Sequence, residues 1–230
     1  QLYQACMQAL VQTEADAAIF NIPDVTSIPF VFFLRARLQQ QEALTFDQNT
    51  QTYQLVTPPG NFPVFIETAG GTRMMRQNDF LLLSASDYVA GVQSGEIPPP
   101  ISPDNPVPNQ LVLDGPAPSL PSGSSELAKA RGAVQQYNNI IASAAENNGY
   151  ALVDIHSRFN EIIEQGGIET SGDTLRPVPG ELFSFDGVHP GNRGSGVIAN
   201  QAIEAINNTF NANLPAIDLA TIPRGIPVAN

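Results

Sequence analysis

The 230 residues carry 22 acidic side chains against 10 basic ones, a formal charge of −12, and only one of the ten is a lysine, Lys129. That balance excludes nucleic acid and anionic membrane surfaces as partners, because both demand a positive face. The single cysteine, Cys6, excludes an internal disulfide framework and a cysteine-built zinc cluster, and no apolar run approaches the length of a transmembrane segment.

Taken in chain order, Leu2 to Val11 sets Leu2, Cys6, Ala9 and Leu10 at helical spacing, with Cys6 expected as a small buried apolar residue. The pattern starts abruptly at Gln1, without a cap. Ala17 to Ile22, closed by Pro23, reads as a strand buried on both faces, the kind that parallel sheets contain. Asn21 and Asp24 stand at its carboxyl end, where ligands collect in open α/β sheets, and turn chemistry around Pro23 accounts for them equally well.

From Arg35 to Asp114 the pattern breaks down. Pro58-Pro59-Gly60, Pro98-Pro99-Pro100, Pro103, Pro106 and Pro108 are expected to forbid long helices and central strands. Phe80 to Leu83, behind Asp79, is expected as one short packed element. Residues 35–114 then read as a Pro-rich insertion or cap within a single α/β domain over 1–230, either shaping a substrate cleft or packing as a surface excursion.

Regular structure returns at Ser122 to Glu126, where serines offer N-caps. Leu127, Ala130, Val134, Tyr137, Ile141 and Ala144 continue at three- and four-residue steps, and the helix should stop at Asn147-Asn148-Gly149. Tyr150 to Ile155 reads as a second buried strand, so the two elements make the α-to-β step of a doubly wound parallel sheet. His156 is expected to end that strand, two residues after Asp154, too few ligands for a metal. Phe159 to Gln165 should be a short helix ended by Gly166-Gly167.

Chemistry concentrates in Ser184 to Ile206, SFDGVHPGNRGSGVIANQAIEAI. Asp186 precedes His189 by three residues, and a helix with Ala199, Ile203, Ile206 and Phe210 on one face follows. A carboxylate paired with an imidazole fixes the tautomer and stabilises the imidazolium, leaving Nε2 free to take a proton from a nucleophile. Gly194-Ser195-Gly196 superficially resembles a nucleophile elbow, but no strand leads into it. Ser195 is therefore expected to serve close packing of the first helical turn. The tail from Asn213 to Asn230 should drape over the domain.

In its order of features the chain resembles the C-terminal half of the SGNH/GDSL hydrolase family. The residues that carry the resemblance are AAIFNIPDVTSIPF (Ala17 to Phe30) and FSFDGVHPGNRGSGVIAN (Phe183 to Asn200), with the helix and YALVDIH strand between. The resemblance implies a flavodoxin-like three-layer sandwich and hydrolysis of carboxylic esters through an acyl-serine, without metal or organic cofactor. It assigns the catalytic acid and base to Asp186 and His189. The substrate would be a small-molecule, lipid or carbohydrate ester, and the location secreted, periplasmic or attached to an outer surface. The family's Gly-Asp-Ser nucleophile block and Gly-x-Asn-Asp block are not in this sequence. The nearest string, Ser171-Gly172-Asp173-Thr174, has the wrong order and no strand expected before it. The expectation is therefore a C-terminal piece, inactive alone, whose nucleophile and oxyanion residues lie upstream of Gln1 in the missing N-terminal part of the same domain. The alternatives are an inactive module of that fold binding a glycan or protein, and an unrelated α/β protein in which the pair is a surface feature.

Overall fold

A computed structural model describes residues 2–57, 60–116, 123–170 and 173–223. In chain order the first elements are α1 (Leu2–Val11), β1 (Ala18–Phe20), α2 (Pro29–Gln40), β2 (Leu44–Asp47), β3 (Thr52–Thr57), β4 (Gly60–Pro63), β5 (Phe65–Thr68), β6 (Gly71–Met74) and β7 (Phe80–Leu81). They are followed by α3 (Ser86–Ser94), β8 (Val112–Leu113), α4 (Glu126–Asn148), β9 (Ala151–Val153), α5 (Ile155–Gln165), β10 (Ile168–Thr170), β11 (Asp173–Leu175) and α6 (Asn192–Phe210). The result is a mixture of helices with parallel and antiparallel sheet. Residue contacts divide it into two compact units, one from Gln1–Asp24, Ala133–Ser184 and His189–Asn230, the other from Val25–Gly132 and Phe185–Val188.

The first unit is built on the parallel pair β1–β9, in register Ala18 to Ala151, Ile19 to Leu152 and Phe20 to Val153. The expected parallel α-to-β step is present, but β1 is shorter than the apolar run and is not buried on both faces. Its Phe20 is 46% exposed, whereas Ala151 and Val153 of β9 are fully buried. Helix α6 packs against β9, and α5, whose Ile155, Phe159 and Ile162 are buried, packs against α6. Phe159 meets Phe183 at 5.6 Å between ring centroids. Helix α1 forms as its spacing predicts, except that it turns Met7 inward and leaves Cys6 exposed.

Helix α4 follows its sequence signals closely. Ser125 Oγ accepts the Ala128 N–H at 3.2 Å, and Gly149 closes the far end at φ +66. The inward face is Leu127, Val134, Ile141 and Ala145, a stripe that rotates Tyr137 out to 56% exposure. Asn138 is partly buried instead, and its side chain exchanges two 2.8 Å hydrogen bonds with the backbone of Ile22 just beyond β1.

Beyond α5 the sequence reading missed a hairpin, β10–β11. A strand thus does precede Asp173-Thr174, although as half of an antiparallel hairpin, and Ser171-Gly172 lie outside the described residues. The first turn of α6 is where close packing occurs, but the glycines carry it. A Cβ on Gly194 would collide with the Leu182 carbonyl oxygen and one on Gly196 with Ile222, while Ser195 between them is exposed. The described part of the tail lies along α6. Asn207 bonds both ways with the backbone of Leu214, Asn200 does the same with Ile217, and Arg193 Nε donates to the Ile222 carbonyl.

In the second unit the prolines did not prevent sheet formation. Strands β2, β3 and β4 form an antiparallel meander with β3 central, and β5–β6 and β7–β8 are further antiparallel pairs. The meander escapes the usual restriction because Pro63 sits in the edge strand β4, while Pro58 and Pro59 lie outside the described residues. Helix α2, with Pro29 in its first turn, covers a core that includes Leu34, Leu38, Leu44, Ile66, Met75 and Val107. Of the short packed element expected over Phe80 to Leu83, Phe80 and Leu81 form a strand paired with β8.

A buried carboxylate pins this unit together. Asp79, 1% exposed, accepts two hydrogen bonds from Arg73 at 2.6 and 2.7 Å, one from the Arg76 N–H at 2.6 Å and one from the Gly115 N–H at 2.7 Å. Its charge thus has a bidentate guanidinium and two backbone donors, the condition under which a buried charge is tolerable. The hydrogen bonds to Asp79 hold the Arg73 guanidinium above its ordinary pKa. Arg35 adds hydrogen bonds to the carbonyls of Gln77 and Asp79 and lies 4.1 Å from the centroid of the Phe80 ring.

Candidate active site

Residues 184–191 are held by backbone contacts rather than by regular structure. In the first unit the Ser184 N–H donates to the His189 carbonyl at 2.8 Å, Phe183 bridges to Pro190, and the Gly191 N–H donates to the Leu182 carbonyl at 2.8 Å. Gly191 then occupies the N-cap position of α6, so His189 is presented three residues ahead of that helix.

Residues Phe185–Val188 belong to the second unit. The Gly187 carbonyl accepts the N–H of Phe30, in the first turn of α2, at 2.9 Å. That N–H is among the donors a helix start leaves without an intrahelical partner. Gly187 has φ +70, and a Cβ there would lie 2.8 Å from the Phe30 nitrogen, so the position demands glycine on both counts. Asp186 Oδ1 accepts the Val188 N–H at 2.9 Å, which folds the carboxylate back over its own turn. Asp186 and His189 are both exposed, as are Phe185 and Val188 beside them, while Gly187 is buried.

Asn21, Asp154 and His156 are joined in one hydrogen-bonded group. Asn21 Nδ2 donates to Asp154 Oδ1 at 2.7 Å, and Asn21 Oδ1 accepts the His156 N–H at 2.9 Å. Asp154 is the N-cap of α5, accepting from the backbone and hydroxyl of Ser157. His156 therefore lies in the first turn of α5 rather than at the end of the strand, and its Nδ1 donates to the Ile22 carbonyl at 3.2 Å. Partial burial pushes the Asp154 carboxyl up, but the hydrogen bonds from Ser157 and Asn21, with the nearby His156, outweigh it and leave the pKa below its ordinary value. Among the described residues, no group of three or more His, Cys, Asp or Glu is placed to hold a metal ion.

The anchor on α2 was missed in the sequence, although Pro29 at the head of an apolar segment signals a helix start. A second missed feature is an apolar pocket of about 290 Å³ in the second unit, lined by residues that include Leu44, Leu55, Leu81, Val89 and Val107.

Residues 94–202 match the family model described as GDSL-like Lipase/Acylhydrolase. That stretch contains α4, β9, α5, the Asp186–His189 loop and the first half of α6, and it is similar to the family that the Asp-x-x-His block and the YALVDIH strand resemble. No curated protein and no solved structure matches the chain.

Proposed function

We propose that this protein is a carboxylic-ester hydrolase of the acyl-serine type in which His189 is the general base and Asp186 orients it. The observation that carries the reading is the family match across the Asp-Gly-Val-His block. The hydrogen bond from the Ser184 N–H to the His189 carbonyl supports it, because general-base catalysis needs an imidazole whose backbone is fixed. In this mechanism His189 Nε2 takes the proton of a serine hydroxyl as the oxygen attacks the ester carbonyl. It then gives that proton to the leaving alkoxide and activates the water that releases the acid. The serine falls to a Gly-Asp-Ser block that these 230 residues do not contain, and the surrounding sheet is assigned to a flavodoxin-like sandwich. A location outside the cytoplasm belongs to the same proposal, consistent with the single lysine.

The lack of a Gly-Asp-Ser block favours one second reading, an inactive module of the same fold that binds a glycan or protein. The two are separated by treating the 230-residue chain, and a form joined to a Gly-Asp-Ser-bearing segment, with a fluorophosphonate, followed by intact-mass analysis. The esterase reading expects an adduct on the joined form alone, lost in His189→Ala. No adduct on either form supports the binding module. An adduct on the 230-residue chain itself would overturn the assignment of the nucleophile.

A further inference from the structure

Between Leu175 and Asn192 no helix or strand braces the backbone that carries His189. In the first unit that backbone is closed by a two-bond ladder instead, Gly191 N–H to the Leu182 carbonyl and Ser184 N–H to the His189 carbonyl, with Phe183 facing Pro190 between them. Phe183 is also tied to the preceding turn, its carbonyl accepting the Gly180 N–H at 2.8 Å and its N–H donating to the Val178 carbonyl at 3.3 Å. Two buried side chains, Leu182 and Phe183, hold this ladder in the unit. The Leu182 carbonyl packs against Gly194 in the first turn of α6, a helix that follows His189 directly in the chain. The Phe183 ring instead meets Phe159, with the two planes tilted by 42°. Phe159 is buried on α5, which has its own Asp154 cap and Gly166 stop and so does not depend on the loop for its structure. Close-packed rings transmit displacement, so a shift of one is felt by the other.

We propose that Phe159 is a positioning residue for His189. Its ring seats the Phe183 ring, and through Phe183 it fixes the ladder on which the His189 backbone hangs. The catalytic meaning of this coupling rests on His189 being the general base, whereas the coupling itself is a property of the chain and needs no turnover to be seen.

The test is NMR of the full 230-residue chain carrying Phe159→Ala. The chain has two histidines, and His156 lies on α5 itself, three residues before Phe159, so a general disturbance of that helix registers there first. The expected result is that the His189 ring signals move while those of His156, assigned by their loss in His156→Gln, stay in place. Amide exchange on the same sample should quicken at least about tenfold at Ser184 and Gly191, through local opening of the ladder, relative to Ala151, whose N–H bonds to the Ala17 carbonyl between β1 and β9. His156 signals that move as far as those of His189, or Ser184 and Gly191 amides quickened no more than Ala151, would each overturn the proposal, because either pattern reports only a loosened unit. Phe159→Leu keeps part of the contact and should show the same pattern more weakly, and it carries the test if Phe159→Ala does not fold. Loss of the hydrolase reading to the fluorophosphonate experiment would leave this outcome unchanged.

Discussion

Asn21 and Asp154 face one another across the carboxyl ends of the two parallel strands, joined by a 2.7 Å hydrogen bond from Nδ2 to Oδ1. One asparagine thereby connects the exit of β1 to the start of α5, since its other side-chain atom receives the His156 N–H. Asn21→Ala should lower stability by about 1–3 kcal/mol, because it leaves a partly buried N–H and a carboxylate short of partners. Urea unfolding followed by far-ultraviolet circular dichroism checks this, with the midpoint shifted and the slope unchanged.

The same carboxylate sets an acid limit. Its folded-state pKa is depressed from the ordinary 3.8, so its stabilising contribution is fully present above that value and is lost as pH falls through the lower, folded one. Thermal melts taken between about pH 2 and 6 should show wild type losing stability at the acid end, and Asp154→Asn should flatten that part of the curve.

Gly187 is the position on which the backbone of residues 185–188 depends most directly. Gly187→Ala would force a side chain into left-handed backbone at a cost of about 1–2 kcal/mol and bring its Cβ against the Phe30 nitrogen. In a Gly-Asp-Ser-complemented form, hydrolysis of p-nitrophenyl butyrate by this variant should fall at least about tenfold with Asp186 and His189 intact. Asp186→Asn in that form should fall by on the order of 10⁴-fold.

Gly194→Ala and Ser195→Ala give opposite outcomes from adjacent residues. The first places a methyl group against the Leu182 carbonyl and should cost about 1–3 kcal/mol. The second alters an exposed side chain and should change stability by less than about 0.5 kcal/mol. It should also leave fluorophosphonate labelling as in the parent. Thermal unfolding and intact mass read both effects.

Helix α4 was legible to within a residue because three signals coincide, a serine cap, a periodic stripe and a terminal glycine. Its outward rotation at Tyr137 was not, because Asn138 occupies the inner face for a hydrogen bond that only the fold supplies. The second unit was unreadable for a different reason. Its strands are short, and the proline count masked hairpin signals such as Ala69-Gly70 between β5 and β6 and the Asp47 turn before β3, where Asp47 accepts the Asn49 N–H at 2.8 Å. At the site, the types and spacing of Asp186 and His189 were visible in the sequence. The contact of Gly187 with α2 was not, since it joins residues far apart in the chain.

Asp79→Ala should be the most damaging of these substitutions, at about 3–5 kcal/mol, because it removes the bidentate carboxylate partner of the largely buried Arg73 guanidinium. Guanidinium chloride unfolding measures it.

The four acceptor bonds of Asp79 also impose a kinetic rule on the second unit. The Arg76 and Gly115 amides share one carboxylate, so neither can be released without disturbing the group that holds the other. In deuterated buffer these two protons should exchange together, through one common opening event, despite their distance along the chain. Local fraying at either strand end is thereby converted into an all-or-none transition.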